Sequence, residues 1–143
     1  MGVEAMLEAV DMVRDGTAPR IVQDESQATY ESWCKRSDVE VDWSKPAQDI
    51  HNLIRGANPQ PGAWTKLGEL ELGLFDCKIS DGKVGDGAGQ TPGQVTAIGA
   101  SGITVATTAG SIELQRVRPA GGAKVAASEF AASNSLQVGD KLG

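Results

Sequence analysis

Residues 41–64 read VDWSKPAQDIHNLIRGANPQPGAW, and this stretch decides the fold. Ser44 is a favoured N-cap residue, and Pro46 falls in the first helical turn, where a missing backbone N–H costs nothing. Apolar side chains recur at helical spacing and define one face, namely Ile50, Leu53, Ile54 and Ala57. Gly56 and the two prolines after it end the helix. We therefore expect a helix at about 46–56 that docks on a sheet.

Beyond this helix the apolar pattern changes to a period of two. In residues 69–74 leucines alternate with glutamates, which is typical of a strand with one buried face. Short runs of this kind predict five strands, at 63–66, 69–79, 94–98, 103–107 and 111–118. A phase slip near Gln115 and Arg116 indicates a β-bulge, and residues 126–132 predict a short helix. The expected fold is mainly β, an OB-like five-stranded small barrel with a docking helix.

Two segments lie outside this pattern. Residues 81–90, DGKVGDGAGQ, predict a mobile loop; their glycine spacing resembles part of a phosphate loop, but the strand and helix that such a loop joins are lacking. Residues 3–14 predict an amphipathic helix too short to be stable alone in water. Its apolar face therefore needs a partner, either the β-domain of this chain or another domain. Residues 16–40 have the composition of a linker.

Composition narrows the class of protein. The 143 residues include 18 glycines and only 4% aromatic residues, which indicates one β-rich domain. The net charge of −6 argues against nucleic acid as the main partner. No apolar run is long enough to span a membrane and no signal peptide is recognisable, so we expect a cytoplasmic protein. Cys34 and Cys77 are expected to be free thiols, and with His51 they are too few for a metal site.

Several blocks of the sequence together resemble the C-terminal domain of the folate-dependent formyltransferases, the family of methionyl-tRNA formyltransferase and the hydrolase portion of 10-formyltetrahydrofolate dehydrogenase. Residues 50–56, IHNLIRG, are more similar to the dehydrogenase type, and residues 58–64, NPQPGAW, suit both. Four further blocks occur in the order that the family has: QDES at 23–26, ATY at 28–30, PGQV at 92–95 and GGAK at 121–124. The family's C-terminal domain is OB-like.

The resemblance implies a division of the chain. Residues 1–15 would be the last helix of an N-terminal catalytic domain that is missing here, 16–40 the linker, and 41–143 the C-terminal OB-like domain. The family's catalytic residues lie in the N-terminal domain and have no match, so no catalytic, cofactor-binding or metal residue is assigned. The chain alone is given no activity of its own, while the parent protein would be a formyltransferase that uses 10-formyltetrahydrofolate.

The function implied is that of a non-catalytic accessory domain that helps to shape or position the substrate. Interdomain or substrate-side contacts are assigned to Tyr30, His51, Arg55 and Asn58. His51 and Arg55 form an i, i+4 pair, which on most helices belongs to a solvated polar face. The partner would be the upstream N-terminal formyltransferase domain.

The formyl acceptor has two candidates. Acidity of the chain and the dehydrogenase-type block favour a small-molecule acceptor over transfer RNA. The alternative is an OB-type tRNA-binding module of the methionyl-tRNA formyltransferase kind. Arg116, Arg118 and Lys124 would then touch the nucleic acid, although the sequence shows no aromatic stacking platform beside them.

Overall fold

The computed structural model describes residues 2–80 and 90–143 and divides into two compact units, Met1–Ser32 and Trp33–Gly143. The first unit contains helix α1 (Gly2–Arg14), whose apolar side chains are exposed, and a short 3-10 turn at Glu25–Gln27. Asp24 caps that turn by accepting hydrogen bonds from Ser26 and Gln27, and these bonds, the one from the Ser26 hydroxyl foremost, lower the pKa of the Asp24 carboxyl.

The second unit is built on one antiparallel sheet of six strands. The strands are β1 (Ala63–Leu67), β2 (Leu70–Ile79), β3 (Val95–Gly99), β4 (Gly102–Ala106), β5 (Ser111–Pro119) and β6 (Val125–Ala126). Their order is β1-β2-β5-β4-β3, and β6 pairs with β5. The five predicted strands are confirmed, whereas β6 was not expected. Of the predicted loop at 81–90, residues 81–89 lie outside the described residues.

Two helices accompany the sheet, α2 (Ala47–Ala57) and α3 (Ala127–Ser133), together with a 3-10 turn at Arg36–Val39. Both helices lie within one residue of their predicted bounds. None of the helices among the described residues has the length and apolar character needed to cross a membrane.

The predicted barrel is not closed by strand pairing. Within the described residues no pairing joins β1 to β3, which are the two edges of the sheet. The C-terminal segment bridges these edges instead. The Leu142 N–H donates to the Gly93 carbonyl and the Gly143 N–H donates to the Lys66 carbonyl, each at 2.9 Å. The two edges are therefore linked through the chain end rather than to each other.

The bulge predicted near Gln115 is confirmed and has a counterpart on β2. The register shifts on both sides of the pair formed by Asp76 and Arg116, so that Phe75 on β2 and Gln115 on β5 have no opposite residue. An extra residue on each strand changes which side chains face outward from that point on. Phe75 faces outward by ordinary alternation with the buried Leu74, and the irregularity lets the next residue, Asp76, face outward as well, opposite Arg116.

Helix α2 packs its apolar side on β2, and its start differs from the prediction. Ser44 is not the N-cap: its N–H and hydroxyl donate to the Asp42 carboxylate at 2.9 and 2.6 Å. These bonds, the one from the hydroxyl foremost, lower the pKa of Asp42. The helix begins after Pro46, and the N–H of Ala47 donates to the Ala109 carbonyl at 3.0 Å. A backbone carbonyl from the neighbouring turn thus satisfies the group that a cap would have satisfied.

The helix also ends differently from the prediction, since it passes through Gly56 and stops at Ala57. The Ala57 carbonyl accepts a hydrogen bond from the Gly62 N–H at 2.9 Å. Gly62 has a φ of +82°, a conformation that favours glycine. This conformation lets the chain turn from the end of α2 into β1.

The two tryptophans beside α2 have different environments. Trp43 is buried, and its indole N–H donates to the Thr65 hydroxyl at 2.9 Å. Trp64 is half-buried and donates to the Arg36 carbonyl at 2.9 Å, with the Arg36 guanidinium 5.3 Å from its ring centre. Trp43 therefore lies on the buried side of β1, whereas Trp64 lies on its outer side. Successive strand residues face opposite sides, and Thr65 takes the inward position.

The C-terminal bridge predicts a strong response at Gly93. A Cβ at residue 93 would lie 2.3 Å from the Leu142 carbonyl oxygen, and its φ of +87° is unfavourable for other residues. We expect Gly93→Ala to lower the free energy of unfolding by about 2 kcal/mol or more, measured by urea denaturation.

Gly99→Ala is the matched control, because a Cβ at Gly99 meets no atom within 4 Å. Its free energy of unfolding should stay within about 0.5 kcal/mol of the parent chain. If both variants lost the same free energy of unfolding, the stabilising role of the C-terminal bridge would be contradicted.

Candidate functional site

The outer side of β2 and β5 concentrates positive charge around one aromatic ring. We call this region the Phe75 face. Its cations are Arg36, Arg55, Lys78, Arg116, Arg118 and Lys124, and its carboxylates are Glu71, Asp76 and Glu113. Six cations against three carboxylates give this face a net charge of +3, although the whole chain has a net charge of −6. The acidity of the chain therefore lies elsewhere.

Phe75 is the centre of this face. Its ring lies beneath the Arg118 guanidinium at 5.0 Å and the Lys124 ammonium at 3.7 Å, and only 4% of the residue is exposed. A Cβ at Gly73 would come within 3.2 Å of the ring, so glycine leaves the space that the ring fills. Both cations are attracted to the ring face. The ring is too deeply covered to stack on a base, so the expected absence of an aromatic stacking platform beside these basic residues is not overturned; the ring holds Arg118 and Lys124 in place.

Two cavities flank the Phe75 ring. The first has a volume of about 380 Å³, and its walls include Gly62, Gly73, Arg36 and Arg118. Arg36 forms an ion pair with Glu71 across this cavity, while its guanidinium stacks on Trp64. Four glycines, Gly62, Gly73, Gly121 and Gly122, leave much of its wall without side chains. Because Glu71 pairs with Arg36, the net positive charge of the cavity comes from Arg118.

The second cavity, the His51 cavity, has a volume of about 280 Å³ and lies between α2, β2 and β5. It is lined by His51, Arg55, Asn58, Phe75, Asp76, Cys77, Lys78 and Gln115. The Asn58 side-chain amide donates to the Phe75 carbonyl at 3.2 Å, which fixes the end of α2 to the bulge. Asp76 is paired with Arg116 at 3.7 Å.

Three of the four predicted contact residues lie together in the His51 cavity: His51, Arg55 and Asn58. Tyr30 belongs to the first unit, where its side chain is 89% exposed. Sequence reasoning missed Phe75 and Lys78 as members of the site. The signal for Phe75 was present, because an aromatic follows Leu74 directly and breaks the alternation of leucines in β2.

The His51 side chain is more buried than a histidine in an exposed i, i+4 helix pair usually is. Its Nδ1 atom is buried and has no hydrogen-bond partner among the described residues. Arg55, one turn later, is exposed, and no carboxylate of the described residues lies within 4.0 Å of its guanidinium. The expected pair is thus a half-buried imidazole beside an unpaired cation.

The two cysteines are free, as expected, and differ in environment. Cys34 is exposed, whereas Cys77 is half-buried in the wall of the His51 cavity. Burial, and to a smaller extent the negative charge of Asp76, raises the pKa of the Cys77 thiol to about 11. Cys77 therefore remains a protonated thiol at neutral pH and is a poor nucleophile.

Comparison with known proteins identifies a family match. The family described as "Formyl transferase, C-terminal domain" matches residues 34–135. A methionyl-tRNA formyltransferase of Trichlorobacter lovleyi is 39% identical over 142 residues, which are 99% of this chain and 43% of that protein. A cytosolic 10-formyltetrahydrofolate dehydrogenase of Xenopus tropicalis is 44% identical over 87 residues, 60% of this chain and 10% of that protein. The chain thus spans less than half the length of these relatives.

A solved structure shares the fold. HypX from Aquifex aeolicus, crystallised in complex with tetrahydrofolic acid, superposes with a TM-score of 0.66 at 20% sequence identity. The match covers 97% of this chain and 24% of HypX. At this identity the likeness concerns the fold alone.

The contrast between the two thiols predicts unequal alkylation. At neutral pH we expect iodoacetamide to label Cys34 more than about tenfold faster than Cys77, because the raised pKa of Cys77 leaves almost no thiolate. Mass spectrometry of proteolytic peptides measures both rates, and unfolding in urea should make them similar. Equal rates in the folded chain would contradict the placement of Cys77.

Proposed function

Because the chain belongs to the formyl transferase C-terminal domain family, we propose that it acts as a non-catalytic accessory domain of a formyltransferase or formyl hydrolase. In this proposal the parent protein uses 10-formyltetrahydrofolate, and an N-terminal domain carries out the transfer. The Phe75 face positions the acceptor substrate for that domain. Relatives named for methionyl-tRNA formylation and for 10-formyltetrahydrofolate support the class of reaction.

The observation that carries the proposal is the concentration of cations around Phe75. The net charge of +3 on this face attracts an anionic group. Because the whole chain has a net charge of −6, the rest of its surface is net negative and does not attract one. Arg118 and Lys124 are held against the Phe75 ring, so their charges have defined positions. Charges fixed in advance lose little freedom when a substrate binds.

Such a face accelerates a reaction without reacting itself. Formyl transfer requires the acceptor nucleophile to be held against the formyl carbon, and correct orientation lowers the barrier by several kcal/mol, roughly 7 or more in favourable cases. Guanidinium and ammonium groups bind an anionic part of the acceptor away from the reacting atoms. A small-molecule acceptor with such a group fits either cavity beside Phe75.

The proposed arrangement of the parent protein follows the sequence division. Residues 1–15 form the last helix of the catalytic domain, 16–40 the linker and 41–143 the accessory domain. The apolar face of α1 supports this, since Val3, Leu7 and Val13 are each more than half exposed. We infer an OB-like character for the sheet from its strand number and the C-terminal bridge between its edges. We assign the parent to the cytoplasm, in keeping with its two free thiols.

Substitution of Arg118 in the full-length parent protein tests the proposal. We expect Arg118→Gln to raise the KM for the acceptor about three- to tenfold, because one charge-assisted contact is lost. The KM for 10-formyltetrahydrofolate should not change. Steady-state kinetics with each substrate varied in turn measures both constants.

Lys141→Gln is the control, since Lys141 is an exposed cation of the C-terminal segment and lies on neither β2 nor β5. It removes the same charge and should leave both constants unchanged. An unchanged acceptor KM in Arg118→Gln, or formyl transfer by residues 1–143 alone, would contradict the proposed accessory role.

Transfer RNA is the second candidate partner. The net charge of the chain argues against it, whereas the positive charge of the Phe75 face favours it. Six cations gathered on one face, two of them held against the Phe75 ring, are the kind of surface that phosphate backbones bind. The acidity of the chain argued against this partner, but that acidity does not lie on this face.

Salt dependence separates the two candidates. If transfer RNA is the partner, affinity should fall steeply between low and moderate salt, and Arg118→Gln should flatten that dependence. Fluorescence anisotropy with labelled transfer RNA measures the affinities. Absence of binding even at low salt would leave the small-molecule acceptor as the partner.

A further inference from the structure

We propose that the His51 cavity is a binding site for a small oxyanion, with a phosphate group as the ligand it suits best. The cavity holds five side chains that donate hydrogen bonds: His51, Arg55, Asn58, Lys78 and Gln115. A volume of about 280 Å³ accommodates a phosphate and a few further atoms. Because hydrogen-bond donors outnumber negatively charged groups in this small space, the cavity favours a ligand rich in hydrogen-bond acceptors.

The charges of the cavity are not neutralised from within. No carboxylate of the described residues lies within 4.0 Å of Arg55 or Lys78. Glu113 is the cross-strand neighbour of Lys78 by register but does not form an ion pair with it, and Asp76 is paired with Arg116. Two unpaired cations from α2 and β2 therefore face the same space.

The burial of one imidazole nitrogen sets the donor pattern of His51. Nδ1 is buried without a partner among the described residues, so a proton there would have no acceptor. The tautomer with its proton on Nε2 is favoured for this reason. Nε2 is then the nitrogen with which His51 would donate to a ligand in the cavity.

The same donor set disfavours a metal ion. Arg55 and Lys78 have no lone pair for a cation, and the cavity's one carboxylate, Asp76, is engaged by Arg116. Guanidinium groups bind phosphate in a bidentate way, and an ammonium adds a point charge. The cavity is thus suited to an oxyanion.

This inference deepens the proposed function and relies on it for the identity of the physiological ligand, an anionic group of the acceptor. The binding itself does not require catalysis. Inorganic phosphate is therefore a probe that works on the chain alone.

The experiment follows the His51 imidazole by NMR while phosphate is added to the 143-residue chain at constant ionic strength. The chain has one histidine, so its ring signals need no assignment. We expect a saturable shift of the ring signals and of the Asn58 side-chain amide. Arg55→Gln and Lys78→Gln should each weaken phosphate binding about tenfold.

Lys66→Gln is the matched control for Lys78→Gln, because both are exposed lysines on strands and lose the same charge. Its phosphate affinity should equal that of the parent chain. Acetate, titrated in parallel, distinguishes the ligand class: weaker binding than phosphate supports a phosphoryl group, and equal or tighter binding supports a carboxylate.

Absence of a saturable shift with both anions, or equal weakening in all three variants, would overturn the proposal. Arg55 and Lys78 are exposed, so their replacement is compatible with folding, and backbone spectra away from the cavity verify this. An accessory function can fail in the kinetic test with Arg118→Gln while phosphate still binds here. The two failures are therefore distinguishable.

Discussion

The packing of α2 on β2 is the interaction on which the rest of the second unit depends. An isolated helix of 11 residues is marginal in water, so its stability comes from its buried side. Ile50 and Ile54 are 2% and 0% exposed, and burial of each contributes about 1.5–3 kcal/mol. The same contact holds His51 and Arg55 on the other side of the helix, beside the bulged part of the sheet.

The bulge shapes the outer surface of this scaffold beside α2. Without the extra residue in β2, period-two alternation would keep Phe75 on the outer side but turn Asp76 inward. With it, Asp76 faces outward and pairs with Arg116 beside Phe75, which lies beneath Arg118 and Lys124 and lines both cavities. Backbone irregularity, glycine and charge thus act together, because Gly73 leaves the space for the ring. An acidic chain therefore carries one positively charged face.

Much of the fold follows from local sequence pattern, while the site depends on contacts that pattern does not contain. Periodicity predicted α2, five strands and the bulge, since each is set by neighbouring residues. It did not predict β6, the outward position of Trp64 or the start of α2 after Ser44, because these depend on partners distant in sequence. Net charge is an average over the whole chain, so it could not show that cations gather beside Phe75.

Native-state hydrogen exchange tests the central claim most directly, namely that α2 and the sheet form one cooperative unit. The backbone amides of Ile54 and Leu74 should exchange with the same free energy of opening and the same denaturant dependence, that of global unfolding. Exchange of the α2 amides at markedly lower free energy, while Leu74 and its neighbours in β2 stay protected, would show that the helix opens independently and would contradict the account.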